Sequence, residues 1–180
     1  DLPLMSGQED PYAPHLAIAA SPWSGSVSVY SAVEDAGYAL NSLVEGASVI
    51  GMTLTPLPAA QTGVFDRGPS LRVRLIAGEL ETVSVQRLLT GANLMAIGDG
   101  SSDRWELLQF MSATPVEPGV WDIGMRLRGQ LGSNGLMPDY WPVGSVVVLL
   151  DGTPDQIGYA PEARGLARHF RIGSALRSYD

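Results

Sequence analysis

The chain has 180 residues, no cysteine, 45% hydrophobic residues and a formal net charge of −8. The missing cysteines exclude disulfides, thiol chemistry and thiolate metal sites, and the negative balance argues against nucleic acid or an anionic membrane surface as a partner. No apolar run approaches the roughly 18 residues that a membrane helix needs; the longest, Val146 to Leu150, has strand length.

Asp1 to Pro14 contains three prolines, Gly7 and the run Gln8-Glu9-Asp10, and it reads as an extended arm or linker. It lacks the basic and apolar regions of a signal peptide, and a start on Asp1 suits an excised piece of a larger protein. Residues 15–180 read as one β-rich domain, in which a subdivision would fall near residues 60–70. Leu16 to Ala20 is expected to be a strand. Val27-Ser28-Val29-Tyr30 alternates apolar with polar, as a half-buried strand does. Tyr38 to Val44 is a weaker strand. Val49 to Leu57 alternates in its early part and is ended by Pro56 and Pro58. Gln61 to Pro69 reads as a loop. Leu71-Arg72-Val73-Arg74-Leu75 is the cleanest alternation, with the apolar side chains on one face and the arginines on the other. Val83 to Leu89 suits a short helix with Val85, Leu88 and Leu89 on one side, terminated by Gly91.

Leu94 to Ile97 and Trp105 to Met111 flank the turn cluster Gly98-Asp99-Gly100-Ser101-Ser102-Asp103, which predicts a hairpin with a long loop. Gly119 to Leu127 is the next strand, and Gly129 to Gly135 a loop. Ser145 to Leu150 places five apolar residues after a serine and is expected to be buried on both faces. Glu162 to Ile172 mixes helical and strand spacing. The 21 glycines and 13 prolines are scattered, the pattern of short strands joined by tight turns. The predicted fold is therefore mainly β, a β-sandwich or barrel-like domain with one or two short helices.

No pattern for chemistry emerges. His15 and His169 lie at opposite ends of the chain, and neither has a second histidine at ligand spacing. No Gly-x-Ser-x-Gly elbow and no phosphate-binding glycine loop is present. Asp99, Asp103 and Glu106 lack the ligand alternation of a calcium loop and read as a solvated hairpin tip. Glu106 and Asp122 each adjoin a tryptophan, Trp105 and Trp121. Neighbours on a strand point to opposite faces, so both acids are expected on a polar outer face beside a core aromatic. Trp23 and Trp141 lie beside Pro and Gly in predicted loops and are expected to be more exposed than Trp105 and Trp121. No catalytic residue, metal ligand or cofactor is expected, and the chain reads as a structural or attachment module, not an enzyme.

An ordered series of motifs adds to this reading. It runs Ala20-Ser21-Pro22-Trp23-Ser24-Gly25, Ile50-Gly51, Leu54-Thr55-Pro56-Leu57, Asp66-Arg67-Gly68 and Leu71-Arg72-Val73-Arg74-Leu75. It continues with Gly91-Ala92-Asn93-Leu94-Met95-Ala96-Ile97-Gly98, Trp105-Glu106-Leu107-Leu108-Gln109-Phe110, Leu127-Arg128-Gly129-Gln130 and Val147-Val148-Leu149-Leu150-Asp151-Gly152. In this order the motifs resemble the C-terminal part of the large tail protein of gene transfer agents and related siphophages, a baseplate hub or host-specificity protein. Ser24, Gly132-Ser133-Asn134 and Arg126-Leu127-Arg128-Gly129 depart from that family's pattern, all in loops or at strand edges.

The resemblance implies a structural component of a phage-like tail tip, acting in particle assembly, host attachment and DNA delivery. Its partners would be other tail and baseplate proteins in a homotrimeric hub. It would be made in the bacterial cytoplasm and end in the virion or gene-transfer-agent particle. The glycosidase-related domain of such proteins lies elsewhere in their chains, and the resemblance carries no catalytic residue to this one. Neither sequence-specific nucleic-acid binding nor membrane insertion is expected. The loop Gly129 to Pro142 holds Leu131, Leu136, Met137, Tyr140 and Trp141, which suits either an interface or packing onto the domain's own core. The rival reading is a carbohydrate-binding module for host surface glycans. The candidate glycan or interface contacts are Trp23, Leu136, Met137, Tyr140 and Trp141. A glycan hydrolase, a third reading, would need carboxyl groups roughly 5 to 10 Å apart across a cleft.

Overall fold

Alternating apolar positions punctuated by turn residues divide the chain into short strands. The computed structural model describes residues 9–152 and 154–179. Its first strands are β1 (His15–Leu16), β2 (Val27–Ala32), β3 (Ala39–Val44), β4 (Ile50–Thr53), β5 (Leu57–Pro58), β6 (Phe65–Asp66) and β7 (Leu71–Leu75). The helix α1 (Val85–Leu89) is followed by β8 (Leu94–Gly98), β9 (Trp105–Glu117) and β10 (Val120–Leu127). A 3-10 segment at Gln130–Leu136 leads to β11 (Tyr140–Trp141), β12 (Val146–Leu149) and β13 (Asp155–Gln156). A last 3-10 turn at Pro161–Ala163 precedes β14 (His169–Ser174).

Six strands close into a barrel. Antiparallel pairing runs β10–β7–β4–β12–β8–β9 and returns from β9 to β10. Closure satisfies both ladders of every member strand and removes exposed edges. The chain is thus mainly β and barrel-like, with helical structure confined to short pieces, as its patterning predicts.

The barrel interior is filled by Leu71, Val73, Leu75, Met95, Ile97, Leu108, Phe110, Ile123, Trp141 and Val147 with their neighbours. β7 behaves as its alternation requires: Leu71, Val73 and Leu75 are buried, while Arg72 and Arg74 face outward. There Arg72 pairs with Asp122 at 2.8 Å and Arg74 with Glu117 at 3.1 Å. Such exposed pairs contribute little, about 0–1 kcal/mol. Gly51 of β4 is required by close approach, because a Cβ there would collide with the Arg74 carbonyl of β7. Gly51→Ala is expected to destabilise the fold by about 1–3 kcal/mol, read as a lowered urea midpoint; an unchanged midpoint would show that β4 and β7 separate freely.

Burial on both faces belongs to β9, not to the Ser145–Leu150 segment for which it is expected. In β12 only Val147 is fully buried. Val146 and Val148 face outward into a groove of about 490 Å3 shared with Leu16, Ala17, Ile50 and Trp105. In β9, by contrast, Glu106 to Phe110 are all buried. Leu108 and Phe110 belong to the interior cluster. Leu107 is covered by the 3-10 segment, whose Ser133 hydroxyl accepts from the Leu107 N–H at 2.8 Å. Gln109 lies under α1 and donates to the Leu88 and Ala92 carbonyls at 2.7 and 2.8 Å. Of the three α1 residues expected on one buried side, only Leu88 is buried; Val85 and Leu89 are exposed. A five-residue helix presents a single turn to β9, too little to bury a whole stripe. The Ser84 hydroxyl caps it by accepting from the Arg87 N–H at 3.2 Å.

Outside the barrel, β2 is the centre of a three-stranded antiparallel sheet between β14 and β3. Val27, Val29 and Val44 form its own small cluster with Leu16, Ile18 and Trp23. The ambiguous Glu162–Ile172 stretch resolves into a turn followed by an edge strand. The strand expected over Leu16 to Ala20 shrinks to the two residues of β1, which pair with β13. Within the expected arm, residues 1–8 lie outside the described residues. Asp10 and Ala13 are tied to Gln156, whose side chain accepts from the Asp10 N–H and donates to both carbonyls, each at 2.8 Å. The predicted loop at 61–69 contains β6, which pairs with the end of β10.

Candidate functional site

One end of the barrel concentrates the buried charge of the molecule. Glu106 and Arg128 are both fully buried and meet in a two-pronged pair, with Nε to Oε1 at 2.7 Å and Nη2 to Oε2 at 2.8 Å. The Trp141 indole N–H donates to Oε2 at 2.7 Å and the Gly129 N–H to Oε1 at 3.2 Å. Each carboxylate oxygen therefore accepts two hydrogen bonds. The remaining Arg128 edge donates to the Pro58 carbonyl at 2.8 Å. Burying a charge is unfavourable unless it is paired and hydrogen-bonded, and this pair meets both conditions. No buried side-chain polar atom among the described residues lacks a partner.

The expectation for Glu106 is thereby reversed. Glu106 points into the barrel and Trp105 faces outward, half-buried, its indole donating to the Ser101 carbonyl at 2.7 Å. Opposite orientation of neighbours holds for both acid–tryptophan pairs, but which member faces inward was decided by the charge available inside. Asp122 follows the expected arrangement: it faces outward onto Arg72, while Trp121 packs against the core. Arg72 holds the Asp122 carboxyl below the usual range against a smaller opposing effect of burial.

A break in alternation places Arg128 inside. Ile123 and Ala113 are opposite each other in the core, and so are Arg126 and Phe110, three residues further along each strand. An odd spacing between two inward positions requires a reversal between them. Met125 supplies it with a left-handed φ of 52°, a conformation uncommon for a residue with a Cβ. Continued alternation from Ile123 would have put Met125 and Leu127 inside and both arginines in water. Arg126 pairs with Asp66 of β6, Nη2 to Oδ2 at 2.8 Å, and donates to the Ile123 carbonyl at 2.9 Å. Arg128 lies 3.7 Å from the same carboxylate. Two arginines and two carboxylates so balance each other.

Burial alone would raise the Asp66 carboxyl. Hydrogen bonds from the Gly68 N–H and Arg126, with the charges of Arg126 and Arg128, outweigh it and hold the group below its ordinary value. The unfolded chain consequently takes up a proton at higher pH than the folded one. Asp66 stabilises the fold above the unfolded value of about 3.9, and that contribution is lost as pH falls through the lower folded value. Asp66→Asn is expected to be less stable at pH 7 and to show a shallower decline of Tm below about pH 4 than the parent. An equally steep decline would assign the acid sensitivity to other groups.

The candidate contact residues scatter. Trp141, expected to be exposed, is 1% accessible and fills the closed barrel end. The β11–β5 ribbon turns it inward, with Trp141 opposite Leu57, and the buried carboxylate gives its N–H a partner. Trp23 is half-buried against the β2 cluster. Tyr140 is 59% accessible and Leu136 is exposed, while Met137 is half-buried, its sulfur accepting from the Ala60 N–H at 3.5 Å. Glu106 and Trp141 come together in one network; Trp23 lies in a loop and packs against the separate β2 cluster. Patterning did not single out Asp66, Arg126 or Gly129. Arg126-Leu127-Arg128 carries the only local signal, and it reads as an outer face until the reversal at Met125 is seen. Among the described residues no group of three or more His, Asp or Glu is placed to hold a metal.

Fold and site together define a small closed β-barrel whose one end is locked by a self-satisfied buried charge network. Residues 48–148, more than half of the chain, match the family described as Rcc01698-like, C-terminal, and the chain belongs to that family. The matched span begins just before β4 and ends within β12, so it coincides with the barrel. No curated protein matches the chain.

Proposed function

We propose that this chain is a structural component of a phage-like tail tip, a piece of a baseplate hub, and not an enzyme. The observation that carries this reading is the state of Glu106, the most deeply buried acid of the barrel. All of its accepting capacity is taken by Arg128, Trp141 and Gly129, so it has none to offer a substrate. The motif series and the family membership support the tail-tip assignment. In a homotrimeric hub the barrel would act by shape, its loops meeting other tail and baseplate proteins during assembly, host attachment and DNA delivery. Leu131, Leu136 and Tyr140, exposed beside the charged barrel end, suit such an interface.

An epitope inserted into the exposed 99–103 tip of the intact tail protein should be labelled by antibody at the tail tip of assembled particles. Label along the tube, or none on particles that do contain the protein, would sink the assignment. Host polysaccharide incubated with the chain should remain uncleaved. Cleavage abolished by Asp122→Asn would overturn the non-enzymatic reading.

A further inference from the structure

Positive charge is distributed against the trend of the chain. Four of the 11 basic residues, Arg164, Arg168, Arg171 and Arg177, fall in the last 17 residues, beyond the family-matched barrel. Three of them lie over tyrosine rings: Arg164 over Tyr12 at 5.0 Å, Arg168 over Tyr159 at 5.3 Å and Arg171 over Tyr38 at 3.9 Å. Arg171 is committed to the fold, since it also reaches Asp35 and the Tyr179 carbonyl. Arg164 and Arg168 are different. Among the described residues neither guanidinium has an ion-pair partner or a side-chain hydrogen bond. A ring beneath a guanidinium holds its plane in place while leaving the N–H edge for a ligand.

The Tyr12–Arg164 stack and the Tyr159 ring line one cleft. It has a volume of about 290 Å3 and is lined by Tyr12, Tyr159, Arg164, His15, Asp10 and Leu166 with the intervening backbone. That is close to the lower end of small-molecule sites, about 300 Å3. Tyr12 is 41% accessible, and Tyr159 is half-buried with its other neighbour Phe170 stacked at 6.5 Å. The cleft is not simply positive. Asp10 lines it, with one oxygen accepting from the Tyr12 N–H at 2.9 Å, and Glu162 stands two residues before Arg164 in sequence. Burial lowers the His15 imidazole, against the opposing pull of Glu9 and Asp155, which disfavours its cationic form. A bare anion would meet Asp10 as well as Arg164. A ring that carries one carboxylate and several hydroxyls suits the mixture better: its face lies on an exposed tyrosine, its carboxylate meets the planar guanidinium edge, and its hydroxyls donate to Asp10.

We propose that the cleft lined by Tyr12, Arg164 and Tyr159 binds a carboxylate-bearing sugar. This places the saccharide contact of the chain away from Trp23, Tyr140 and Trp141, and outside the barrel. It does not depend on the tail-tip assignment, because it is measured on the 180-residue chain itself. In NMR titrations, trigalacturonate should give saturable shifts at Tyr12, Tyr159 and Arg164, whereas maltotriose and inorganic phosphate should not. Tyr12→Ala and Arg164→Ala should each weaken trigalacturonate binding at least tenfold. Tyr12→Phe should retain it, because the ring remains, and Arg87→Ala, on α1, should bind like the parent. Absence of saturable binding, binding equal to that of maltotriose or phosphate, or binding unmoved by both alanine variants would each overturn the proposal.

Discussion

Glu106→Ala is expected to lower folding stability by about 3–5 kcal/mol, the range for breaking a buried ion pair by removing one partner. The size follows from what is left behind. Arg128 is fully buried and would keep only the Pro58 carbonyl and a carboxylate 3.7 Å away, while the Trp141 and Gly129 N–H groups would lose their acceptor. Urea unfolding should show a lower midpoint with an unchanged slope; a loss below about 1 kcal/mol would mean that water enters the barrel end and replaces the carboxylate. Exchanging both partners, Glu106→Leu with Arg128→Met, should be far milder than either single loss, because no charge is then stranded. If the double exchange matches the parent in stability yet broadens the NMR spectrum, the pair serves to align β9 with the end of β10.

Trp141→Ala should be nearly as damaging, about 3–5 kcal/mol, because it removes the largest side chain of the barrel end and leaves a cavity. Trp141→Phe divides that effect. It retains most of the apolar filling and removes only the N–H, so a loss of about 1–3 kcal/mol is expected. Combining Trp141→Phe with Glu106→Ala should then destabilise by less than the sum of the two, since the indole–carboxylate bond is lost only once. Additivity to within about 0.5 kcal/mol would show that the 2.7 Å contact carries no energy of its own.

Both predictions concern residues that patterning read differently. Glu106 was legible as the polar neighbour of an aromatic, and Trp141 as a tryptophan in a Pro- and Gly-rich loop. Neither reading was unreasonable locally, since most glutamates are in water. What reversed them was non-local: β10 brings Arg128 to Glu106 across 22 residues, and the β11–β5 ribbon brings Trp141 to the same carboxylate across 35. Likewise, Tyr12 and Arg164 have no meaning as a pair until Gln156 ties the N-terminal segment to β13.

The sequence by itself determined the mainly β class, most of the strands, the helix near residue 85, the hairpin around the 98–103 turn and the apolar face of β7. These follow from periodicity and turn chemistry, which act over a few residues and are written along the chain. Only the tertiary structure decided that the strands close into a barrel, that β9 and not β12 is covered on both faces, and that two arginines and two acids share the interior. Those outcomes depend on which strands become neighbours and on one left-handed residue that turns a polar face inward. Alternation specifies that a strand has two faces; it takes the closed barrel, with a countercharge waiting inside, to specify which face is the inner one.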